Sequence, residues 1–191
     1  MKPFILKRFL LFLFLGSIAI VNSQEIDVEK FNARWFASID LGIQMSGIKS
    51  EDFVDSNYSA LQRVSFGRWI SPTFGARVGY QGRYFNTISH ERRRYYDFYF
   101  GEALIDIRNL FSKTKKERKY KLIGHIGGGY FYNHDYDRSN IYSVLGLINS
   151  ISVTKNFNLT IDLSAISGWD IYQGNSDILP GLSLGIFYLF D

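Results

Sequence analysis

The sequence predicts an all-β chain closed into an eight-stranded antiparallel up-and-down transmembrane β-barrel. Three observations point there. Eight segments alternate apolar and polar side chains residue by residue, the period of a strand. The connections between them alternate between tight turns and longer polar loops. Aromatic residues make up 17% of the 191, with 13 Tyr and 17 Phe against only 3 Pro, and flat rings suit a pleated surface.

The N-terminus comes first and stands apart. Lys2, Lys7 and Arg8 form a positive region, followed by an apolar run over residues 9–21 broken only by Gly16 and Ser17. Val21 and Ser23 then occupy the small-residue positions of a cleavage site. A membrane helix needs about 20 apolar residues, so this run is too short to span. Residues 1–23 read as a secretory signal peptide and residues 24–191 as the barrel domain.

Charge and composition exclude several classes. The chain is formally +4, but without residues 1–23 it carries 19 Lys and Arg against 18 Asp and Glu. A nucleic-acid binder keeps a strong basic excess in its folded part, so no nucleic-acid partner is expected. The absence of Cys removes disulfides, thiolate metal sites and thiol nucleophiles, and no cofactor is expected.

The eight segments are residues 34–47, 59–70, 74–86, 95–108, 120–133, 141–154, 157–169 and 179–190. In the first, Trp35, Ala37, Ile39, Leu41, Ile43 and Met45 share a face opposite Ser38, Asp40, Gly42 and Gln44. In the seventh, Leu159, Ile161 and Leu163 oppose Thr160, Asp162 and Ser164; in the eighth, Leu182, Leu184 and Ile186 oppose Ser183 and Gly185. Tight turns fall at 71–73 and 155–156, and longer loops include 86–94 and 133–140. Two unlike ends are the asymmetry of a membrane barrel, with short turns on the periplasmic side. The connection 109–119 departs from that rule, being long and basic at the short-turn end.

Alternation alone leaves open whether the greasy face points into a core, as in a soluble ligand-binding barrel, or out into lipid. The charges decide. Every lysine beyond residue 23 lies in a loop, a turn or at a strand end, whereas a water-facing sheet would carry the strongly hydrated ammonium mid-strand. The mid-strand charges are mostly Asp40, Arg63, Arg77, Arg83, Glu102, Asp106, Arg108 and Asp162, joined on the mixed face by His125. Four acids and four arginines interspersed with glycines fit a narrow interior where charges persist in pairs. Trp35, Trp69, Phe74, Tyr99, Tyr130, Phe157 and Tyr188 cluster near strand ends as interfacial girdles do. In hydrocarbon the sheet must close on itself, and at eight strands side chains fill the interior.

With these features, residues 30–191 resemble the eight-stranded outer-membrane barrels of Gram-negative bacteria, the OmpA/OmpX-type group and most of all its stand-alone outer membrane protein beta-barrel families. Gly185, Tyr188 and Phe190, within Gly-Ile-Phe-Tyr-Leu-Phe, are similar to the terminal-strand signal read by the barrel-assembly machinery, although Asp191 follows the aromatic residue. The resemblance implies a cell outer-membrane location, contact with outer-membrane lipid and lipopolysaccharide, and an assembly-machinery partner during biogenesis. It names no protein partner.

Some such barrels modify lipid A, in the manner of deacylases, with His and Ser near the outer leaflet. Here His90 lies at a loop tip, His125 mid-strand and His134 at the start of a loop, none with a serine two residues away on one face. An enzyme would need a His within reach of Ser or Asp at the lipid-facing outer rim. Residues 133–140 gather oxygen ligands but lack the later acid and the glycine of a calcium loop. Arg92, Arg93 and Arg94 stand at the loop end of the fourth strand, where lipopolysaccharide phosphates are the nearest anions. Gly127-Gly128-Gly129 interrupts a strand and is followed by no Lys-Ser/Thr, so barrel curvature or a bulge is expected rather than phosphate binding. The reading is a non-enzymatic outer-membrane barrel with a plugged, salt-bridged interior. A lipid-modifying enzyme, a small-solute pore and a soluble extracytoplasmic barrel stand as alternatives.

Overall fold

Strands that expose apolar side chains on one face have two ways to hide unpaired backbone groups: cover the edges or join them. Here the edges join. The computed structural model describes residues 33–45, 58–85, 94–112, 118–134, 137–169 and 176–190. They form β1 (Trp35–Met45), β2 (Tyr58–Trp69), β3 (Phe74–Phe85), β4 (Arg94–Asp106), a one-turn helix α1 (Ile107–Phe111), β5 (Tyr120–Asn133), β6 (Arg138–Ser152), β7 (Phe157–Trp169) and β8 (Ser176–Leu189). Every sequential pair is antiparallel, and β8 closes on β1 from Phe36↔Leu189 to Gln44↔Gly181. The strands run 11 to 15 residues, at least the 9–11 or so that a tilted membrane strand requires.

Side-chain direction answers the question of orientation. Leu41, Val78 and Leu184 are 61%, 62% and 65% exposed, whereas Asp40 and Asp162 are each 1% exposed. Ile39, Ile43, Ile126, Leu145, Leu159 and Leu163 extend the apolar belt around the wall. A continuous oily girth of this kind has no place in water. It is the exterior of a membrane barrel, with the polar face turned inward.

The two described tight turns share one chemistry. Ile70 N–H and Ser71 N–H both donate to the Phe74 carbonyl, and Val153 N–H and Thr154 N–H both donate to that of Phe157. The Ser71 hydroxyl accepts from Thr73 and Phe74 N–H, and the Thr154 hydroxyl from Asn156 and Phe157 N–H, at 2.9–3.3 Å. Each hydroxyl thus satisfies two donors that the turn leaves over. Thr154→Ala should lower unfolding stability by about 1 kcal/mol while Thr154→Ser stays near wild type, read from the urea midpoint in detergent. An unchanged midpoint in the alanine variant would remove the hydroxyl's role.

Two connections differ from the sequence reading. The long basic connection read over residues 109–119 starts earlier, because β4 ends at Asp106 and α1 takes Ile107–Phe111. The Asp106 carboxylate accepts from Asn109 N–H at 3.1 Å as the helix N-cap, and Asn109 Nδ2 reaches the Pro72 carbonyl at 2.9 Å. The expected loop 133–140 is shorter, because β6 already begins at Arg138. Asp137 takes the left-handed conformation at φ 50°, tolerable for aspartate, and accepts from Tyr132 Oη.

Candidate functional site

Inside the barrel the side chains form three layers. Near the tight turns, Phe36, Trp69, Leu104, Ile123, Ile148, Phe187 and Leu189 make an apolar floor. Near the long loops, Tyr96, Phe98, Phe100, Phe131, Tyr142, Val144, Ile166 and Leu179 make an apolar upper layer. Tyr96 stacks on Phe131 at 4.9 Å, and Tyr142 meets Phe131 edge-on at 4.7 Å. Between the two lies a charged layer.

That layer is built by register. Arg63 pairs across the sheet with Asp40 and Gln81, and Arg77 with Glu102. Arg63 Nη1 donates to Asp162 Oδ2 at 2.7 Å and Nη2 to the Ser164 hydroxyl at 3.2 Å. Arg77 Nε donates to Glu102 Oε2, and its Nη2 lies 3.6 Å from Asp162. His125 stands between two acids, with Nδ1 3.1 Å from Glu102 and Nε2 3.2 Å from Asp162. Asp40, Glu102 and Asp162 face two guanidiniums and one imidazole, so the layer is neutral when His125 carries both ring protons. Gly185, a residue of the C-terminal motif, also faces this layer. A methyl there would overlap the Asp40 carboxylate, so the glycine is what lets the acid enter.

Six of the nine residues predicted for the interior network therefore come together: Asp40, Arg63, Arg77, Glu102, His125 and Asp162. Asp106 is fully buried but serves Asn109 and the helix cap instead. Arg108 is a correction. It lies on α1 rather than mid-strand, half-buried, with its guanidinium 5.8 Å from the Tyr120 ring centroid. The Asp106 cap ends the strand just before it. The Arg83 side chain lies outside the described residues, as do His90, Arg92, Arg93 and the Arg94 side chain.

The girdle near the tight turns is linked from β7 through β8 and β1 to β2. Trp35 stacks on Phe66 at 5.0 Å, Phe66 lies 6.2 Å from Phe190, and Tyr188 touches both Phe190 and Phe157 at 5.1 and 5.0 Å. Tyr188 and Phe190 of the terminal motif thus face outward. Trp69 does not belong to the girdle. It is 5% exposed, inside, beneath the Lys121 ammonium.

The outer wall carries a second polar constellation that sequence reasoning missed. Tyr80 Oη donates to Asp97 Oδ1 at 2.6 Å, and His134 Nε2 lies 2.7 Å from Asp97 Oδ2. Tyr132 presents its ring to His134 edge-on at 4.6 Å. Gly82 leaves the space over which the Tyr80 hydroxyl lies. Below Tyr80 runs a groove of about 650 Å³, lined by Val64, Phe66, Val78 and Tyr99 among others. The only sequence signal for this pair was Asp97 between Tyr95 and Tyr99 on one face near the loop end of the fourth segment.

A closed eight-stranded barrel, oily outside and ionically paired within, defines a small transmembrane β-barrel of the outer-membrane type. No protein-family model and no curated protein matches the chain. Solved structures do match. Neisserial surface protein A aligns with 84% of this chain and 100% of its own at 15% identity and a TM-score of 0.59. The N-terminal β-barrel domain of Pseudomonas aeruginosa OprF covers 82% and 100% at 12% identity, TM-score 0.49. Ail, the attachment invasion locus protein of Yersinia pestis, covers 81% and 98% at 16% identity, TM-score 0.46. At these identities the likeness is one of fold.

Proposed function

We propose that the protein is a non-enzymatic integral outer-membrane barrel whose interior is plugged by its own side chains and whose role lies in envelope structure or surface interaction. In this reading residues 1–23 are removed on export, Gly185, Tyr188 and Phe190 mark the chain for barrel assembly, and Arg92–Arg94 meet lipopolysaccharide phosphates. The observation that carries it is the layered interior, in which an ion-paired belt lies between two apolar layers. Such packing supports an axis filled by side chains rather than water.

One observation favours a second reading, a lipid-acting enzyme. The Asp97–His134 pair sits on the outer rim and reaches an apolar groove through Tyr80, which lines it; with Nε2 donating to Asp97, Nδ1 is the ring nitrogen left to act as a base toward water. One preparation tests both. Purified full-length protein in planar bilayers is expected to give no steady conductance. In mixed micelles with lipopolysaccharide or phospholipid it is expected to release no fatty acid, with His134→Ala indistinguishable from wild type. Steady ohmic conductance would replace the plugged reading with a pore. Fatty-acid release lost in His134→Ala would replace it with an enzyme.

A further inference from the structure

The connection that breaks the short-turn rule is the feature most in need of a purpose. Ile107, Leu110 and Phe111 stand at i, i+3 and i+4 and share one face of α1. Ile107 covers the outward Gly124, whose added Cβ would meet Ile107 Cδ1 at 3.5 Å, so the helix continues the lipid-facing wall. Beyond it Leu110 is 45% and Phe111 82% exposed. The same rim is cationic. Arg34, Arg68, Arg108, Arg118, Lys119 and Lys155 lie there at least partly exposed, while Asp106, buried as the helix cap, is the one acid at that rim among the described residues. Arg118 is tied back to the helix end through the Ser112 hydroxyl at 3.1 Å.

We propose that α1 and this collar bind anionic phospholipids of the periplasmic leaflet, Leu110 and Phe111 entering the acyl–headgroup boundary while the arginines and lysines take the phosphates. Charge complementarity selects the occupant. Apolar side chains flanked by cations fit a negatively charged bilayer surface, where each cation adds attraction within a Debye length. A neutral headgroup surface would match only the apolar half. The proposal rests on the membrane orientation given above, with tight turns in the periplasm.

The chain has no cysteine, so Ser112→Cys carrying an environment-sensitive fluorophore reports on α1 alone, and Leu184→Cys in the apolar belt serves as the reference. Full-length protein is placed in phosphatidylcholine vesicles containing phosphatidylglycerol, with a headgroup-region quencher attached to one lipid or the other. The Ser112→Cys probe is expected to be quenched about twofold more by labelled phosphatidylglycerol than by labelled phosphatidylcholine, a preference that salt erases. Arg118→Gln/Lys119→Gln/Lys155→Gln, which removes half of the described collar, should lower the ratio toward one, and Leu110→Ser/Phe111→Ser should shift the probe toward water. Heat-dependent gel mobility checks that each variant is a closed barrel. Equal quenching by both lipids overturns the proposal, as does a water-like probe at 112 beside a lipid-buried probe at 184. A water-like probe at both positions overturns the membrane reading with it. Protection of position 112 by peptidoglycan sacculi but not by lipid would assign the rim to the cell wall and end the proposal.

Discussion

Asp162→Ala is expected to cost about 3–5 kcal/mol of unfolding free energy, the range seen when one partner of a buried ion pair is removed. The reason is the number of cations that share this carboxylate. Its two oxygens serve Arg63 at 2.7 Å, His125 at 3.2 Å and Arg77 at 3.6 Å. Removal leaves those three facing only Asp40 and Glu102, with Arg63 1% and Arg77 2% exposed. Neither guanidinium can shed its charge to relieve the mismatch. Asp162→Asn keeps an acceptor of the same shape and should fall between alanine and wild type. Arg63→Met/Asp162→Leu, which removes a positive and a negative charge together, should lose less than the two single changes summed, because a buried pair can be exchanged for apolar packing at small cost. The measurement is urea unfolding in detergent or thin liposomes. A loss below about 1 kcal/mol for Asp162→Ala would mean that water reaches the layer and solvates the orphaned cations, which is what a conducting interior would require.

The strand alternation is what made the architecture readable. A two-residue period can be read without neighbours, and in β1, β7 and β8 it separates Leu41, Ile161 and Leu184 from Asp40, Asp162 and Ser183. Parity also places Trp69, since it shares a face with Arg63 and Gly67, but proximity to a strand end suggested a girdle instead. β4 is where the signal fails. Tyr95 and Tyr99 face out while Tyr96, Phe98 and Phe100 face in, so hydropathy does not distinguish the faces. Only Glu102 and Asp106 betray the inward side. The aromatic upper layer was therefore hidden, and the interior looked more polar than it is. Asp97 and His134 lie 37 positions apart and meet because Asp97 pairs with Tyr132 across β4 and β5. No single-strand pattern carries that register. The helix α1 left a fainter trace: Asp106 as a cap followed by apolar residues at 107, 110 and 111 is a helix signature only one turn long.

Gly129→Ala should sharply weaken folding, and Gly129→Val should abolish the heat-modifiable barrel, whereas Gly101→Ala on the neighbouring strand should leave it near wild type. All three changes add carbon to the same part of one wall, so the contrast isolates geometry from composition. An inward Cβ on Gly129 would overlap the Tyr99 carbonyl oxygen and stand 2.7 Å from the Phe100 Cα. An inward Cβ on Gly127 would overlap the Gly101 carbonyl in the same way. In both cases the obstacle is β4 backbone, which cannot rotate aside as a side chain could. Gly101 faces out, and its nearest neighbour would be Val78 Cγ1 at 4.0 Å, ordinary contact. Eight strands form a tight cylinder, and strand β5 must lean hard against β4 to turn the corner. Alternate glycines at 127 and 129 remove the two Cβ atoms that would hold the strands apart. Overpacking costs about 1–3 kcal/mol when side chains can shift and more when they cannot, so the alanine should sit at or beyond the top of that range. The comparison is read from folded and boiled gel mobility and from the urea midpoint. Equal stability of Gly129→Val and wild type would mean that β4 and β5 are not pressed together, and that the corner is turned elsewhere in the wall.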